Sequence, residues 1–294
     1  MPATLRPRRS VLYMPGSNTR ALEKAKTLAA DALILDLEDA VAPDQKGAAR
    51  DAVCAAVTGG GYGSRELVIR INALETPWGE GDLAAAAAAG PDAILIPKVS
   101  SPEDLSAVGI RLRRLGAPER TRVWAMVETP LAILRVEAIA SAARDVDSRL
   151  ACFVMGTNDL AKETRARFVP GRAPMLPWLT LALAAARAHE IDILDGVYNS
   201  LQDEAGFRAE CEQGRDLGFD GKTLIHPNQV AVANEVFAPA GDEVERARAI
   251  IAAFDLPENQ AKGAISLDGR MVERLHADMA RRTVALTDAI AERG

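Results

Sequence analysis

The stretch RVWAMVETPLAIL, Arg122–Leu134, decides the fold that we predict for this chain. It opens with apolar residues typical of a strand that is buried on both faces. Thr129 is a good helix N-cap, and Pro130 suits the first helical position because its missing N–H needs no partner there. Glu128 is therefore predicted at the carboxyl end of a strand, where parallel α/β proteins bind their ligands. A solvated loop acid, favoured by the helix dipole, is the alternative interpretation.

The same strand-to-helix pattern recurs along most of the chain. Eight apolar segments with strand character lie near residues 10, 33, 67, 93, 123, 151, 191 and 220. This count predicts a single TIM-type (β/α)8 barrel over residues 1–238, with a doubly wound open sheet as the alternative. Residues 239–294 are predicted as a helical extension with one irregular segment, AISLDGRMVERL, which packs on the barrel or reaches a neighbouring subunit.

The composition narrows the class of protein. The net charge of −6 over 294 residues gives no reason to expect nucleic acid or an anionic membrane as a partner. The three cysteines form no CxxC pair, and no apolar run approaches membrane-spanning length. We therefore expect a cytoplasmic protein. The three histidines lack metal-ligand spacing, so any metal should be a hard cation on oxygen ligands.

Polar side chains follow nearly every predicted strand. Because the carboxyl ends of parallel barrel strands meet at one rim, we expect these side chains to converge there. They are Asp36, Glu38, Asp39, Arg70, Asn72, Lys98, Glu128, Asn158, Asp159, Asp195 and His226.

Two carboxylates on adjacent strands, Glu128 and Asp159, suggest a Mg²⁺ site that chelates a 2-oxo acid. Arg70 could neutralise an enolate or bind a carboxylate, or it could form a structural ion pair with Asp36 or Glu38. Lys98 is expected to be a structural or supporting cation rather than a Schiff-base nucleophile, because acids crowd the rim.

At this point the chain resembles a known family, the HpcH/HpaI aldolase and citrate lyase family, in its citrate lyase β-subunit-like branch. The resemblance covers nearly the whole chain. The motifs that carry it are RSVLYMPGSNTRALEKA (Arg9–Ala25), LDLEDAVAPDQK (Leu35–Lys46), VIRIN (Val68–Asn72), MVETP (Met126–Pro130), GTNDL (Gly156–Leu160) and GFDGKTLIHPNQ (Gly218–Gln229).

The resemblance implies a TIM barrel that binds Mg²⁺ and acts on acyl-CoA or acyl-carrier-protein thioesters. It assigns the metal to Glu128 and Asp159, and substrate binding to Arg70. Glu128, Gly156 and Asn158 are further candidate substrate-binding residues. It also implies a homotrimer or hexamer in which the C-terminal segment reaches a neighbour's site.

The tail departs from the family pattern. Related lyases carry an acid in a pattern like DGxMxD that serves as proton donor or base, whereas this chain has DGRMVE. Glu273 therefore stands where Asp is usual, and its carboxylate is one methylene further from the backbone. Either the site has adjusted to Glu273, or Asp268 takes the role, or the carbon–carbon chemistry is altered.

Three functional hypotheses follow. The leading one is a Mg²⁺-dependent lyase that cleaves a β-hydroxyacyl-CoA of the malyl-CoA or citryl-CoA kind to a 2-oxo acid and acetyl-CoA. In it Arg70 holds the carbonyl or enolate oxygen, and Glu273 or Asp268 shuttles the proton. The first alternative is a (3S)-malyl-CoA thioesterase with the same pocket. The second is a citrate lyase β subunit that acts on a carrier-protein thioester.

Overall fold

The computed structural model of the chain describes residues 5–293. These residues divide into two compact units, one formed by Arg8–Asn234 and the other by residues 5–7 together with 235–293. The division into domains at residues 238 and 239 stays a prediction. No helix within residues 5–293 combines the length and apolar character needed to cross a bilayer.

The first unit is a closed barrel of eight parallel strands in sequence order, so the predicted TIM barrel is confirmed. The chain's alternation of short apolar segments and helices produces this arrangement. The strands are β1 Ser10–Pro15, β2 Ala32–Asp36, β3 Glu66–Arg70, β4 Ala93–Ile96, β5 Arg122–Val127, β6 Leu150–Met155, β7 Asp192–Asp195 and β8 Gly221–Leu224.

Apolar side chains from seven strands form one buried cluster of the barrel. Alternate residues of each strand enter this cluster, as the period of two requires. Trp124 of β5 is completely buried there beside Met126 and Val154. Charged residues therefore find room only at the two ends of the barrel or on its outer face.

Helices follow the strands around the barrel. They are α1 Thr19–Ala25, α2 Lys46–Gly59, α3 Gly79–Ala89, α4 Pro102–Arg114, α5 Pro130–Leu134, α6 Val136–Ser141, α7 Thr157–Thr164, α8 Leu176–Ala188, α9 Glu204–Leu217, α10 Gln229–Val236, α11 Gly241–Asp255 and α12 Arg274–Ala291.

The opening stretch folds as its sequence predicts. The hydroxyl of Thr129 accepts a hydrogen bond from the Ala132 amide at 3.0 Å, and Pro130 occupies the first position of α5. The helix that begins at Pro130 is short, because Arg135 leaves helical geometry with φ −116° and ψ 12° before α6 begins. The short helix α7 directly after β6 was not predicted as a helix, and it carries Asp159 in its first turn.

The second unit contains helices α11 and α12 and a two-stranded antiparallel hairpin, β9 Ala264–Leu267 and β10 Arg270–Glu273. The prediction of an irregular segment here was wrong. Asp268 and Gly269 have φ of 50° and 73°, which are the positive values of a type I′ turn. An Asp-Gly pair between apolar residues is a strong hairpin signal, and it was present in ISLDGRMV.

Candidate active site

Seven charged side chains at the carboxyl ends of β2 to β6 form two groups of ion pairs, one around Arg70 and one around Lys98, which act on each other electrostatically and which we together call the rim cluster. Each of these residues lies at a strand end, just after it, or in the first turn of the next helix. The rim cluster consists of Asp36, Glu38, Asp39, Arg70, Lys98, Glu128 and Asp159.

Glu128 lies at the end of β5 and only 1% of it is exposed. Its Oε1 accepts a hydrogen bond of 2.8 Å from the backbone amide of Lys98. Lys98 has a φ of 55°, an unfavourable value for a residue with a side chain, and this conformation accompanies the hydrogen bond. Burial raises the pKa of Glu128 to about 7, although the nearby charge of Lys98 opposes the shift. The carboxylate is therefore under-compensated and suited to an additional cation.

The ammonium group of Lys98 lies between the two carboxylates that were predicted to share a metal. Its Nζ is 2.5 Å from Oδ1 of Asp159 and 3.7 Å from Oε1 of Glu128. Partial burial lowers the pKa of Lys98, but the hydrogen bond to Asp159 and the charge of Glu128 outweigh this effect, so the pKa is raised. A charged ammonium cannot act as a nucleophile, which agrees with the expected supporting role.

The donor set fits Mg²⁺. Within residues 5–293 no group of three or more His, Cys, Asp or Glu side chains could hold a metal ion, so a complete protein cage is absent there. Mg²⁺ commonly binds to one or two carboxylates and fills its other positions with water and substrate oxygens. Glu128 and Asp159 supply such a pair, and the ammonium between them shows that a cation can approach both.

Gly156 makes the close approach of β6 to Glu128 possible. A Cβ atom at this position would lie 2.4 Å from Cβ of Glu128 and 2.7 Å from its Oε2. Any side chain at position 156 would therefore push the Glu128 carboxylate away. Gly156 therefore has a steric role in the placement of Glu128, and its predicted contact with substrate stays a prediction.

Arg70 is the central cation of the rim cluster. Its Nε and Nη2 donate to the two oxygens of Asp36 at 2.6 Å each, a bidentate pair that fixes the guanidinium plane. Its Nη1 lies 2.9 Å from Oε2 of Glu38 and 3.2 Å from Oδ2 of Asp39. The guanidinium carbon also lies 4.9 Å from the ring centre of Tyr13. The predicted ion pairs of Arg70 are thus present, and its Nη1 donates to Asp39 as well as lying beside Glu38.

The other predicted residues divide into separate groups. The side chain of Asn158 exchanges hydrogen bonds with that of Asn199, at 2.7 and 3.3 Å. Asn72 is buried and donates to Asp82 and to the Leu37 carbonyl, which indicates a structural role. His226 is half-buried after β8, where its Nδ1 accepts from the Asn228 amide.

The two tail acids lie in the hairpin of the second unit. Asp268 forms the turn, and Glu273 ends β10 directly before α12, where its backbone amide donates to Nδ1 of His276. The roles predicted for them in proton transfer stay predictions, as does the substrate contact of Asn158.

A second group of buried charges connects β7 and β8 with their neighbours; we call it the β7–β8 cluster. Asp195 receives both Nη1 hydrogen bonds of Arg172, at 2.7 and 2.8 Å, and lies 3.0 Å from Nζ of Lys222. Lys222 also pairs with Glu210 at 2.7 Å. Asp195 was predicted at the rim, but its ion pairs with Arg172 and Lys222 were not predicted. A lysine inside a strand, as in GKTL, was the one available signal, because such a residue needs a buried counter-charge.

The fold and the rim together define a class: a TIM-barrel protein whose acid-rich rim carries a carboxylate pair suited to a divalent cation. The family model for HpcH/HpaI aldolase/citrate lyase matches residues 9–227, and the chain belongs to this family. The resemblance read from the sequence motifs is therefore confirmed.

Characterised relatives match the chain over nearly its whole length. It is 51% identical over 288 residues to a (3S)-malyl-CoA thioesterase of Cereibacter sphaeroides, covering 98% of this chain and 97% of the relative. It is 34% identical to the citrate lyase subunit beta of Escherichia coli, covering 94% and 92%. The crystal structure of CitE from Mycobacterium tuberculosis with magnesium, acetoacetate and coenzyme A superposes with a TM-score of 0.77, at 28% identity over 97% and 100% of the two chains.

Proposed function

We propose that this protein hydrolyses the thioester of malyl-CoA to malate and free CoA. The observation that carries the proposal is the identity of 51% over 98% of the chain to a (3S)-malyl-CoA thioesterase, against 34% to a citrate lyase subunit beta. The carbon–carbon lyase, which the sequence alone favoured, becomes the second candidate.

In this proposal Glu128 and Asp159 hold one Mg²⁺ ion. The ion would supply Lewis-acid polarisation and a template for substrate oxygens. The Lys98 ammonium, now 2.5 Å from Asp159, has to leave the space between the carboxylates when the ion enters. Because 36% of the Lys98 side chain is exposed, this movement needs no rearrangement of the core.

Arg70 is proposed to hold the substrate oxygen that becomes negative. The bidentate contact to Asp36 fixes the guanidinium, and one of its N–H groups would donate to the carbonyl oxygen as charge develops there. Gly156 and Asn158 are the remaining proposed substrate contacts. Fixed donors of this kind act without reorganisation during the reaction, which is why Asp36 matters although it need not touch substrate.

The second candidate, a Mg²⁺-dependent lyase, is favoured by the crystal structure of M. tuberculosis CitE, which holds magnesium, acetoacetate and coenzyme A together. For this reaction one of the tail acids, Glu273 or Asp268, would transfer the proton. Action on a carrier-protein thioester and assembly as a homotrimer or hexamer also remain proposals, and size-exclusion chromatography with light scattering tests the assembly.

Product analysis distinguishes the two candidates. Purified protein is incubated with (3S)-malyl-CoA and Mg²⁺, and products are separated by liquid chromatography and identified by mass. Malate with free CoA supports the thioesterase, whereas glyoxylate with acetyl-CoA supports the lyase. Any turnover should be lost in Asp159→Asn, the control for dependence on the proposed metal site. If folded wild-type protein gives neither pair of products, both candidates are rejected.

A further inference from the structure

Glu38, the acid between Asp36 and Asp39 in LDLEDA, has a main chain that is held from several sides. Its amide donates to Oδ1 of Asp36 at 2.9 Å, and the buried ammonium of Lys46 donates to its carbonyl at 2.6 Å. Lys46 and Asn72 each also donate to the carbonyl of the preceding Leu37, at 2.8 Å. Four polar contacts therefore fix the position from which the Glu38 side chain starts.

The Glu38 carboxylate, by contrast, is left incomplete. Only 14% of its side chain is exposed, and its buried Oε2 accepts no hydrogen bond. Oε2 lies 2.9 Å from Nη1 of Arg70, so charge pairing is present without hydrogen-bond geometry. A buried acceptor without a hydrogen bond is unfavourable by about 1–3 kcal/mol, so it calls for an explanation such as a catalytic role or a bound water or ion.

The neighbouring acids do not share this combination. Asp36 is saturated, because its two oxygens accept from Arg70 and from the amides of Glu38 and Ala40. Asp39 is 69% exposed and can complete its hydrogen bonds with water. Glu38 is thus the acid beside Arg70 that is both buried and unsatisfied.

Several charged or titratable groups act on Glu38 from its own strand and from the elements around it. Burial raises the pKa of Glu38 to about 8, Arg70 opposes the rise, and Asp39 and Glu128 add to it. The groups acting on it include Tyr13 of β1, Asp36 and Asp39 beside it, Lys46 of α2, Arg70 of β3, Lys98 after β4 and Glu128 after β5.

We propose that Glu38 is the general base of this site, and that its Oε2 takes a proton from the attacking water. The inference rests on the proposed thioester hydrolysis. The water oxygen bonds to the thioester carbonyl carbon while one O–H bond breaks and its proton moves to Glu38. The carbon–sulfur bond then breaks, and Glu38 returns the proton to the thiolate of CoA. Glu38 is then ionised again, and the malate carboxyl group that forms releases its own proton to solvent.

The geometry supports this assignment in two ways. Oε2 of Glu38 lies 2.9 Å from Nη1 of Arg70, so the proposed base is adjacent to the proposed oxyanion donor. A base titrating near neutral pH also matches the general optimum for proton transfer. Because Glu38 must be ionised to act, the hydrolysis rate should rise with pH through the neutral and mildly alkaline range.

The test compares Glu38→Gln with Asp39→Asn, a neutralised neighbour that contacts the same Nη1 of Arg70. Glu38→Gln should lower kcat by about 100-fold or more, the usual scale of general-base catalysis, and remove the rising limb of the pH profile. Asp39→Asn should retain that limb. Mg²⁺ binding measured by calorimetry should be unchanged in Glu38→Gln.

Chemical rescue separates a base from a merely structural acid. Added formate should restore part of the turnover of Glu38→Ala, because a small carboxylate can enter the vacated position, while Glu128→Ala should show no rescue. This measurement also decides the matter if Glu38→Gln folds poorly.

Each failure has its own signature. If the wild-type protein releases no CoA from malyl-CoA, the proposed function falls first. If it does release CoA but Glu38→Gln keeps the rising limb, or loses Mg²⁺ binding, then Glu38 is not the base and the proposed function still stands. A limb that descends with pH in the wild-type protein would likewise overturn the assignment.

Discussion

The rim cluster and the β7–β8 cluster lie in the same barrel but differ in net charge. In the rim cluster five carboxylates face two cations, whereas in the β7–β8 cluster Asp195 and Glu210 face Arg172 and Lys222. The first arrangement has an unmet demand for positive charge, and the second is neutral. Buried charges that are balanced belong to the architecture, and those that are not balanced point to a missing ligand.

The pKa shifts follow the same division. Burial pushes the pKa of Asp195 upward, but Lys222 and Arg172 outweigh it and the pKa is lowered. In Glu128 and Glu38 burial dominates, and the pKa values are raised to about 7 and about 8. Complete burial alone therefore does not identify the proposed functional acids. Within these two clusters, what distinguishes them is burial that the neighbouring cations do not compensate.

The largest effect should come from breaking the balanced cluster. Lys222→Met leaves Asp195 buried beside a missing partner, since both side chains have no exposed surface. Loss of one member of a buried ion pair destabilises proteins by about 3–5 kcal/mol, and we expect a loss of that size in the free energy of unfolding. Urea denaturation measures it. Lys98→Met at the rim is the matched control, with an expected loss below about 1 kcal/mol because Lys98 is partly exposed.

A similar loss in the free energy of unfolding for Lys222→Met and Lys98→Met would contradict the distinction between the two clusters. In that case the rim cluster would be as much a part of the architecture as the β7–β8 cluster, and the argument from charge imbalance would fail.

The next effect concerns turnover. Glu128→Gln removes one of the two proposed metal ligands, and Lewis-acid stabilisation is worth several kcal/mol, so kcat/KM should fall on the order of 100- to 1,000-fold. The same variant should bind Mg²⁺ weakly in calorimetry while its fold stays intact by circular dichroism. Metal-dependent turnover that survives the change would refute the metal assignment. Glu210→Gln in the balanced cluster serves as the control for neutralising an acid elsewhere in the barrel.

The third effect is the pH dependence of stability in metal-free protein. Glu128 and Glu38 have folded-state pKa values above those of the unfolded chain, so their contribution is fully present at low pH and is lost as pH rises through about 7 to 8. We expect the free energy of unfolding to fall by on the order of 1–3 kcal/mol between about pH 5 and pH 9.

Denaturation in EDTA at several pH values measures this fall. The double variant Glu38→Gln/Glu128→Gln should flatten the curve, and saturating Mg²⁺ should oppose the loss at alkaline pH by binding the native state. Asp195 acts with the opposite sign, because its lowered pKa makes its contribution disappear only in acid. A stability that rises steadily from pH 5 to 9 in metal-free protein would contradict the raised values.

Much of this architecture could be predicted from the sequence. The strand-to-helix stretches fixed eight parallel strands, and the N-cap of Thr129 and the position of Pro130 placed Glu128 at the rim. Local patterns sufficed here because the barrel's period and its caps are encoded within a few residues.

Long-range partners were not encoded in this way. The ammonium of Lys98 between Glu128 and Asp159 and the pairing of Arg172 with Asp195 join residues from different strands and loops. No spacing rule indicates such pairs, because they depend on which side chains the closed barrel brings together. The hairpin at Asp268 is a different case, since its Asp-Gly signal was local and was overlooked.

The smallest effect tests Asp268 against the rim acids. Asp268 occupies a left-handed position with φ 50°, which Asn tolerates well and Ala tolerates poorly. Asp268→Ala should therefore destabilise the hairpin by about 1 kcal/mol, visible as faster amide exchange over residues 264–273, while Asp268→Asn should change the exchange little. The acid at this position then serves the turn, and its charge is secondary. Turnover measurements test whether the carboxylate of Asp268 also takes part in proton transfer. If Asp268→Asn loses as much activity as Glu273→Gln while its amide exchange stays slow, then the loss comes from the missing carboxylate. A change in the turn would not explain that loss.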